Sequence, residues 1–110
     1  MKLQYLNEIA FNLTYIHNSR LIHCDLHGGN IVLNDTAAAS AAAADESIKS
    51  FICDLGLSKS VNSSQSTSTI QGVLPYIAPE VLHSHKFTQK SDIYSFGIIM
   101  YQIANGEPPF

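Results

Sequence analysis

The feature that most constrains this sequence is a polar segment, His23–Asn30, enclosed by short apolar runs. Asp25 and Asn30 stand five positions apart in it, with two glycines between them. A second aspartate, Asp54, follows a later apolar run, Ile48–Cys53, and precedes Leu55-Gly56. If the apolar runs pair as strands, these polar residues meet at one end of the pair. Such a hairpin can bring a proton acceptor and two metal-binding oxygens to one place.

Apolar periodicity predicts the helices. Apolar residues recur every three or four positions over Lys2–Asn18, which indicates an amphipathic helix. Pro79 suits the first turn of a second, short helix. Ser91 is expected to cap a third helix, whose residues Ile93–Ala104 are apolar almost all round and should be buried on most sides.

The strands are predicted to be short. Leu21–His23 reads as a strand or an extended entry to the polar segment, and Ile31–Leu33 reads as a buried strand. Ile48–Cys53 is the expected antiparallel partner of Ile31–Leu33. The fold class is therefore predicted to be α+β, mainly helical, with a short β-hairpin that carries the polar loops.

Two segments are predicted to lie outside this framework. Asp35–Glu46, dominated by Ala37–Ala44, is far longer than an ordinary hairpin loop and is interpreted as an insertion. Its alanines could form a helical turn, but a mobile excursion is favoured because small side chains bury little surface. Ser58–Thr69 is rich in Ser and Thr, which predicts a flexible loop.

The composition limits the classes of function. The net charge of -3 and the pI near 5.9 suggest neither a nucleic-acid nor an anionic-membrane partner. The most apolar run, within Phe96–Ala104, is too short to span a bilayer. Cys24 and Cys53 lack metal-ligand spacing, which indicates reduced thiols and a cytoplasmic or nuclear protein.

The polar segment has two interpretations on its own residues. Asp25 can accept a hydrogen bond from a substrate hydroxyl, while Asn30 and Asp54 offer hard oxygen ligands to Mg²⁺. Alternatively, Asp25 and Asn30 are ordinary turn residues beside Gly28-Gly29. Taken alone, the segment does not decide between them.

Four motifs in order resemble those of the eukaryotic protein kinase domain, and they are His23–Asn30, Asp54-Leu55-Gly56, Ala78-Pro79-Glu80 and Ser91–Gly97. Within them, Leu26–Asn30 resembles the tyrosine-kinase-like group. The resemblance covers nearly the whole chain. It implies that residues 1–110 are part of a kinase C-terminal lobe, from the helix before the catalytic loop to the buried helix after the activation segment. The glycine-rich loop and lysine strand of an N-terminal lobe have no counterpart here, so a fragment or a truncated gene model is expected.

The resemblance implies roles at the catalytic centre. Asp25 would be the catalytic base, and the substrate would be a protein hydroxyl, with Ser/Thr favoured. Asn30 and Asp54 would bind Mg²⁺ and, through it, ATP. Val32 would form part of the adenine floor, and Cys53 would face the nucleotide.

Four supporting residues are also implied. His23 and Leu55 would belong to a stack of apolar side chains that links the two lobes. Asp92 would anchor the catalytic loop from the buried helix, although alone it would be an ordinary helix-start aspartate. Glu80 would pair with an arginine further along the domain.

The sharpest departure from the family is Cys24, where an arginine normally binds a phosphorylated activation-loop residue. A thiol cannot do so, and Lys59 would retain only part of that contact. We therefore expect that phosphorylation within Ser58–Thr69 is not required to order the loop, although the Ser/Thr run could also be a plain linker. A redox role for Cys24 has little support, since only His23 nearby in sequence could lower its pKa.

Other departures concern the substrate side. His27 stands where many serine/threonine kinases have a lysine that helps hold the transferred phosphate. Val73 stands where they often have a threonine, which leaves the acceptor residue open. Leu55 replaces the usual phenylalanine, a tolerable change because its role is packing.

Three functional hypotheses follow. The first is an ATP-dependent protein kinase in signal transduction, with the 110-residue chain inactive by itself. The second is a pseudokinase remnant that acts as a binding module. The third is a small-molecule phosphotransferase, which the peptide-docking approach at Gly72–Ala78 disfavours.

Overall fold

The computed structural model describes residues 2–35, 48–62 and 70–106. In chain order the helices and strands are α1 (Lys2–Asn18), β1 (Leu21–Ile22), β2 (Ile31–Asp35), β3 (Ile48–Ile52), β4 (Lys59–Ser60), α2 (Pro79–Ser84) and α3 (Gln89–Ala104). Single 3₁₀ turns form at Gly28–Asn30 and Leu74–Tyr76. This mixture of helices and small antiparallel sheets confirms the α+β class. The predicted insertion begins at Asp35, which ends β2, and its residues 36–46 lie outside the described part of the chain.

The predicted hairpin is confirmed. Strands β2 and β3 pair antiparallel from Ile31 opposite Ile52 to Asp35 opposite Ile48. Ile31 and Ile52 pack against the core, whereas the next pair, Val32 and Phe51, stays 49% and 44% exposed. The alternation follows from the two-residue period of a strand. One face of the hairpin therefore packs on the core and the other presents apolar side chains outward.

A second small sheet corrects the prediction that Ser58–Thr69 is a loop throughout. Lys59–Ser60 forms β4 and pairs antiparallel with β1, with Ile22 opposite Lys59. The pairing continues beyond the strand because the Val61 N–H donates to the Arg20 carbonyl at 3.0 Å. A two-residue strand in a polar run carries no periodic signal, so the sequence could not reveal it. The remainder at 63–69 lies outside the described residues.

Helix α1 forms as predicted and supplies one side of the core. Its side chains Ile9 and Leu13 are buried, at 0% and 3% exposure, against Leu26, Tyr76 and Ile99. These contacts join α1 to the polar segment, to the Leu74–Tyr76 turn and to α3. The core therefore lies directly beneath the candidate site.

Helix α3 differs from its prediction in two respects. Its cap is Thr88, not Ser91: the Ser91 N–H donates to the Thr88 hydroxyl, and the Ser91 hydroxyl accepts from the Thr88 N–H. Both residue types favour caps, so sequence preference alone did not separate them. The expectation that it is buried on most sides is also wrong here.

The buried stripe of α3 is narrow. Asp92, Ser95 and Ile99 are buried at helical spacing, whereas Ile93 is 53% and Tyr101 66% exposed. Among the described elements, α1, β1 and the Leu74–Tyr76 turn pack against this helix. Among the described residues, no helix is both long and apolar enough to cross a bilayer.

Candidate active site

The side chain of Asp92 in α3 anchors the start of the polar segment His23–Asn30. Its Oδ2 accepts from the backbone N–H of His23 at 2.7 Å, and its Oδ1 accepts from that of Cys24 at 3.1 Å. Asp92 is 2% exposed, so these charge-assisted bonds lie away from water. Cys24 has a φ of 72°, a left-handed conformation that few non-glycine residues adopt. The carboxylate therefore fixes the bend that begins the loop.

His17 of α1 completes the surroundings of Asp92. Its Nε2 lies 2.9 Å from Asp92 Oδ2, which gives the buried carboxylate a third donor. Gln89, in the first turn of α3, donates from Nε2 to the carbonyls of His17 and Leu21 at 3.0 and 3.3 Å. These contacts tie α1, β1 and α3 together beneath the loop. Neither His17 nor Gln89 was predicted as a site residue, because their partners are about 70 residues away in sequence.

His23 connects the loop to the segment that carries Asp54. The backbone N–H of Asp25 donates to His23 Nδ1 at 3.1 Å, so the other ring nitrogen, Nε2, is the donor to the Cys53 carbonyl at 3.0 Å. The ring is fully buried. Both nitrogens are thus satisfied, and one imidazole links the backbone of Asp25 to that of Cys53, the residue before Asp54.

Asp25 and Asn30 are linked within the loop. The Asn30 side-chain amide donates to the Asp25 carbonyl and lies 3.5 Å from Asp25 Oδ2. Asn30 is 5% exposed, and its backbone carbonyl accepts from the backbone N–H of Cys53 at 2.8 Å. The Asn30 amide nitrogen is thereby directed at Asp25, which orients its Oδ1 the other way. The loop and the Asp54 segment therefore share a rigid backbone junction.

His27 lies beside the Asp25 carboxylate. Its Nδ1 accepts from the Gly29 N–H at 3.0 Å, and its Nε2 lies 3.7 Å from Asp25 Oδ1. Its ring centroid is 5.9 Å from that of Tyr76, whose hydroxyl donates to Gln102 Oε1 at 2.7 Å. Together these contacts fix the orientation of the His27 ring. A Cβ at Gly29 would stand 2.9 Å from His27 Cε1, closer than real contacts allow.

Gly29→Ala is accordingly expected to displace the His27 ring and lower the free energy of unfolding by ~1–3 kcal/mol, the usual cost of overpacking. Chemical denaturation of the chain measures this. Gly97→Ala is the control, because a Cβ there meets nothing within 4 Å among the described residues. That substitution is expected to stabilise α3 by ~0.5–1 kcal/mol. Equal effects of the two alanines would contradict this account of Gly29.

Asp54 stands at the exposed end of the hairpin. It has a left-handed φ of 61°, and its Oδ1 accepts from the Gly56 N–H at 3.3 Å. The donor set of Asn30 Oδ1 and the Asp54 carboxylate consists of hard oxygens, as Mg²⁺ requires. The direction of the Asn30 amide leaves its oxygen for such a ligand. By ligand chemistry, these two residues could therefore hold a magnesium ion, whose remaining ligands would come from phosphate and water.

The other predicted residues are placed as follows. Val32 is half exposed on the outward face of the hairpin, and Cys53 is half-buried next to Asp54. Leu55 is 46% exposed, while its predicted companion His23 is buried. Glu80 is exposed in the first turn of α2. The structure thus brings Asp25, Asn30, Cys53 and His23 into one hydrogen-bonded unit, whereas no described contact joins Glu80 to it.

Cys24 is a buried, protonated thiol. Burial, followed by the nearby Asp92 carboxylate, raises its pKa from 9.0 to about 12. Its Sγ lies 3.5 Å from the Ile22 carbonyl, and the residue is 5% exposed. A neutral thiol in this position is a poor nucleophile, which argues against a redox role.

Alkylation of Cys24 is therefore expected to be slow in the folded protein. At pH 8 a pKa of about 12 leaves roughly 1 thiol in 10⁴ ionised, against roughly one in ten at 9.0. Iodoacetamide labelling followed by mass spectrometry should show at least ~10³-fold slower modification than in urea. Comparable rates in both states would contradict the assignment.

The same shift has a consequence for stability. The folded thiol keeps its proton up to about pH 12, whereas the unfolded thiol loses it near 9.0. The folded state binds more protons in this window, so the free energy of unfolding falls as pH rises from 9 to 12. In Cys24→Ala this contribution disappears, which alkaline denaturation of the two variants measures as a difference in slope.

A shallow, solvent-open cleft lies beside Asp25. Asp25, Gly72 and Val73 line it together with the buried side chains of Asp92 and Ser95. A Cβ at Gly72 would lie 3.8 Å from Asp25 Oδ1, so the 72–78 segment begins directly beside the carboxylate. The Ser95 hydroxyl fixes that segment by donating to the Tyr76 carbonyl at 2.6 Å. A substrate chain running along 72–78 would therefore meet Asp25.

Comparison with known proteins finds similarity over nearly the whole chain. A model of the protein kinase domain matches residues 2–110. The chain is 32% identical over 104 residues to serine/threonine-protein kinase pakH of Dictyostelium discoideum, covering 94% of this chain and 18% of that protein. It is 39% identical over 107 residues to SOBIR1 of Arabidopsis thaliana, a leucine-rich repeat receptor-like serine/threonine/tyrosine-protein kinase, covering 92% of this chain and 15% of that protein.

A human protein has a similar level of identity to the chain. The chain is 35% identical over 106 residues to serine/threonine-protein kinase ULK1, covering 96% of this chain and 10% of that protein. The chain thus spans less than a quarter of each of these three relatives.

Proposed function

Because the chain belongs to the protein kinase family, we propose that it forms the catalytic part of an ATP-dependent kinase that phosphorylates protein hydroxyl groups. The observation that carries the proposal is the hydrogen-bonded unit around His23. Its ring accepts from the Asp25 N–H and donates to the Cys53 carbonyl, next to Asp54. A rigid link of this kind holds a base and a metal ligand in one frame, as positional catalysis requires.

Asp25 is the proposed base. Its carboxylate accepts a hydrogen bond from the substrate hydroxyl, whose oxygen attacks the γ-phosphorus of ATP. The bond between the γ-phosphorus and the bridging oxygen breaks, ADP departs, and the hydroxyl proton passes to Asp25 late in the transfer. The Asn30 amide, which donates to the Asp25 carbonyl, holds the base in position.

Asn30 and Asp54 are the proposed magnesium ligands. When bound there, Mg²⁺ would neutralise the triphosphate charge. Asp54 contributes a full negative charge at the exposed end of the hairpin, and Asn30 a neutral oxygen from the buried loop. The outward apolar pair Val32 and Phe51 offers a surface for the adenine ring.

Serine and threonine are the proposed acceptors in signalling substrates. The names of pakH and ULK1 specify serine/threonine kinases, and that of SOBIR1 adds tyrosine. Val73 lies in the cleft beside Asp25 and supplies no hydroxyl of its own to the acceptor site. We also place the protein in the cytoplasm or nucleus, which the free thiols of Cys24 and Cys53 support.

The test is phosphoryl transfer by the full-length protein. Incubation with γ-labelled Mg-ATP and a mixed protein substrate should yield labelled phosphoserine or phosphothreonine on acid hydrolysis. Label confined to phosphotyrosine would overturn the choice of acceptor. No label in any protein fraction would overturn the proposed function, and label only in small molecules would favour a small-molecule phosphotransferase.

A further inference from the structure

The strand after Asp54 has a contact that neither the motifs nor the comparisons assign. The Lys59 ammonium of β4 lies over the Phe87 ring, 5.6 Å from its centroid, in the geometry of a cation–π interaction. Both side chains are half-buried. Phe87 directly precedes Thr88, the cap of α3. The contact therefore joins β4 to the end of α3 from which Asp92 holds the catalytic loop.

Lys59 also lies close to the start of that loop. In the small β1–β4 sheet, Lys59 pairs with Ile22. Phe87, Cys24 and Asp92 all line the cleft beside Asp25. The Lys59 ammonium favours ionisation of the Cys24 thiol, whereas the Asp92 and Asp25 carboxylates oppose it. Lys59 thus supplies a positive charge near the Asp92 and Asp25 carboxylates, whereas the neutral Cys24 thiol supplies none.

On the basis of the proposed function, we propose that Lys59 is a positioning residue. Its contact with Phe87 holds β4 against β1 and so fixes the catalytic loop without a phosphate. If a phosphorylated residue bound the Lys59 ammonium, the ammonium would have to leave the Phe87 ring. The cation–π contact takes the place of a phosphate contact that Cys24 cannot make.

The experiment measures the local opening of the small sheet in the phosphatase-treated full-length protein. The probe is hydrogen exchange of the Val61 amide, which donates to Arg20 across the β1–β4 edge. Lys59→Met should speed exchange roughly 2- to 5-fold, the strength of an exposed or half-exposed cation–π contact. Phe87→Leu should give the same increase, and the double variant no more than either single one.

Two control variants separate the contact from general effects. Lys59→Arg keeps a cation over the ring and should restore wild-type exchange. Lys86→Met removes an exposed lysine next to Phe87 in sequence and should change nothing. In parallel, kcat should fall in Lys59→Met by no more than this 2- to 5-fold factor, with KM for ATP unchanged.

The outcomes distinguish this inference from the proposed function. Additive effects of Lys59→Met and Phe87→Leu, or loss of Val61 protection when the wild type is dephosphorylated, would overturn the role of Lys59. Absence of phosphoryl transfer in the wild type would overturn the proposed kinase activity. The role of Lys59 in positioning a catalytic loop would fall with it.

Discussion

Replacing Asp25 by asparagine is expected to lower the rate of phosphoryl transfer by the full-length protein roughly 10²- to 10⁴-fold, the usual contribution of a positioned general base. Asparagine has nearly the same shape but cannot take the proton. The Asp25 backbone bonds to His23 and Asn30 remain, so the loop should keep its form. ATP affinity is therefore expected to stay within about 2-fold, because the base contacts the acceptor and not the nucleotide. Steady-state kinetics and titration with Mg-ATP measure the two quantities.

The control for this variant is Glu8→Gln on α1. It removes one carboxylate charge by an equally isosteric change, outside the loop and outside the cleft beside Asp25. Its rate should match that of the wild type. An Asp25→Asn protein that transfers phosphate as fast as Glu8→Gln would show that Asp25 is a turn residue and not a base.

Replacing Asp92 by asparagine is expected to lower the free energy of unfolding by ~3–5 kcal/mol. The buried carboxylate accepts from three donors, namely His17 Nε2 and the N–H groups of His23 and Cys24. An amide would turn an NH₂ group toward one or more of them and leave a buried donor unsatisfied. The loss would also release the left-handed bend at Cys24, near the start of the polar segment His23–Asn30.

Asp54→Asn is the matched comparison, because it makes the same chemical change at an exposed aspartate. Asparagine also tolerates the left-handed φ of 61° at that position. Its effect on stability should be below ~0.5 kcal/mol, as at an ordinary surface site. Urea denaturation of both variants decides the matter, and similar midpoints would contradict the anchoring role of Asp92.

The elements with strong local signals were predictable from the sequence. The spacing of apolar residues located α1, and the apolar runs located the β2–β3 hairpin. The polar segment was recognisable because Asp25 and Asn30 lie on one short loop. Their proximity to Cys53 and Asp54 follows from the hairpin register.

Features that depend on tertiary contacts were not predictable. The β1–β4 pair joins two-residue strands nearly 40 positions apart, which leaves no trace in a periodic pattern. His17 became a partner of Asp92 across 75 positions. The choice of Thr88 over Ser91 as cap depends on backbone geometry at the start of α3, where both hydroxyls take part in one capping box.

Whether Asp25 and Asp54 act in one catalytic site is tested by comparing Asp25→Asn, Asp54→Asn and the double variant for phosphoryl transfer in the full-length protein. If the two carboxylates act in one site, each single variant loses most of the activity and the double variant is about as slow as the slower single one. Effects that multiply would indicate two independent contributions. A wild-type rate in either single variant would contradict the account of this loop as a catalytic centre.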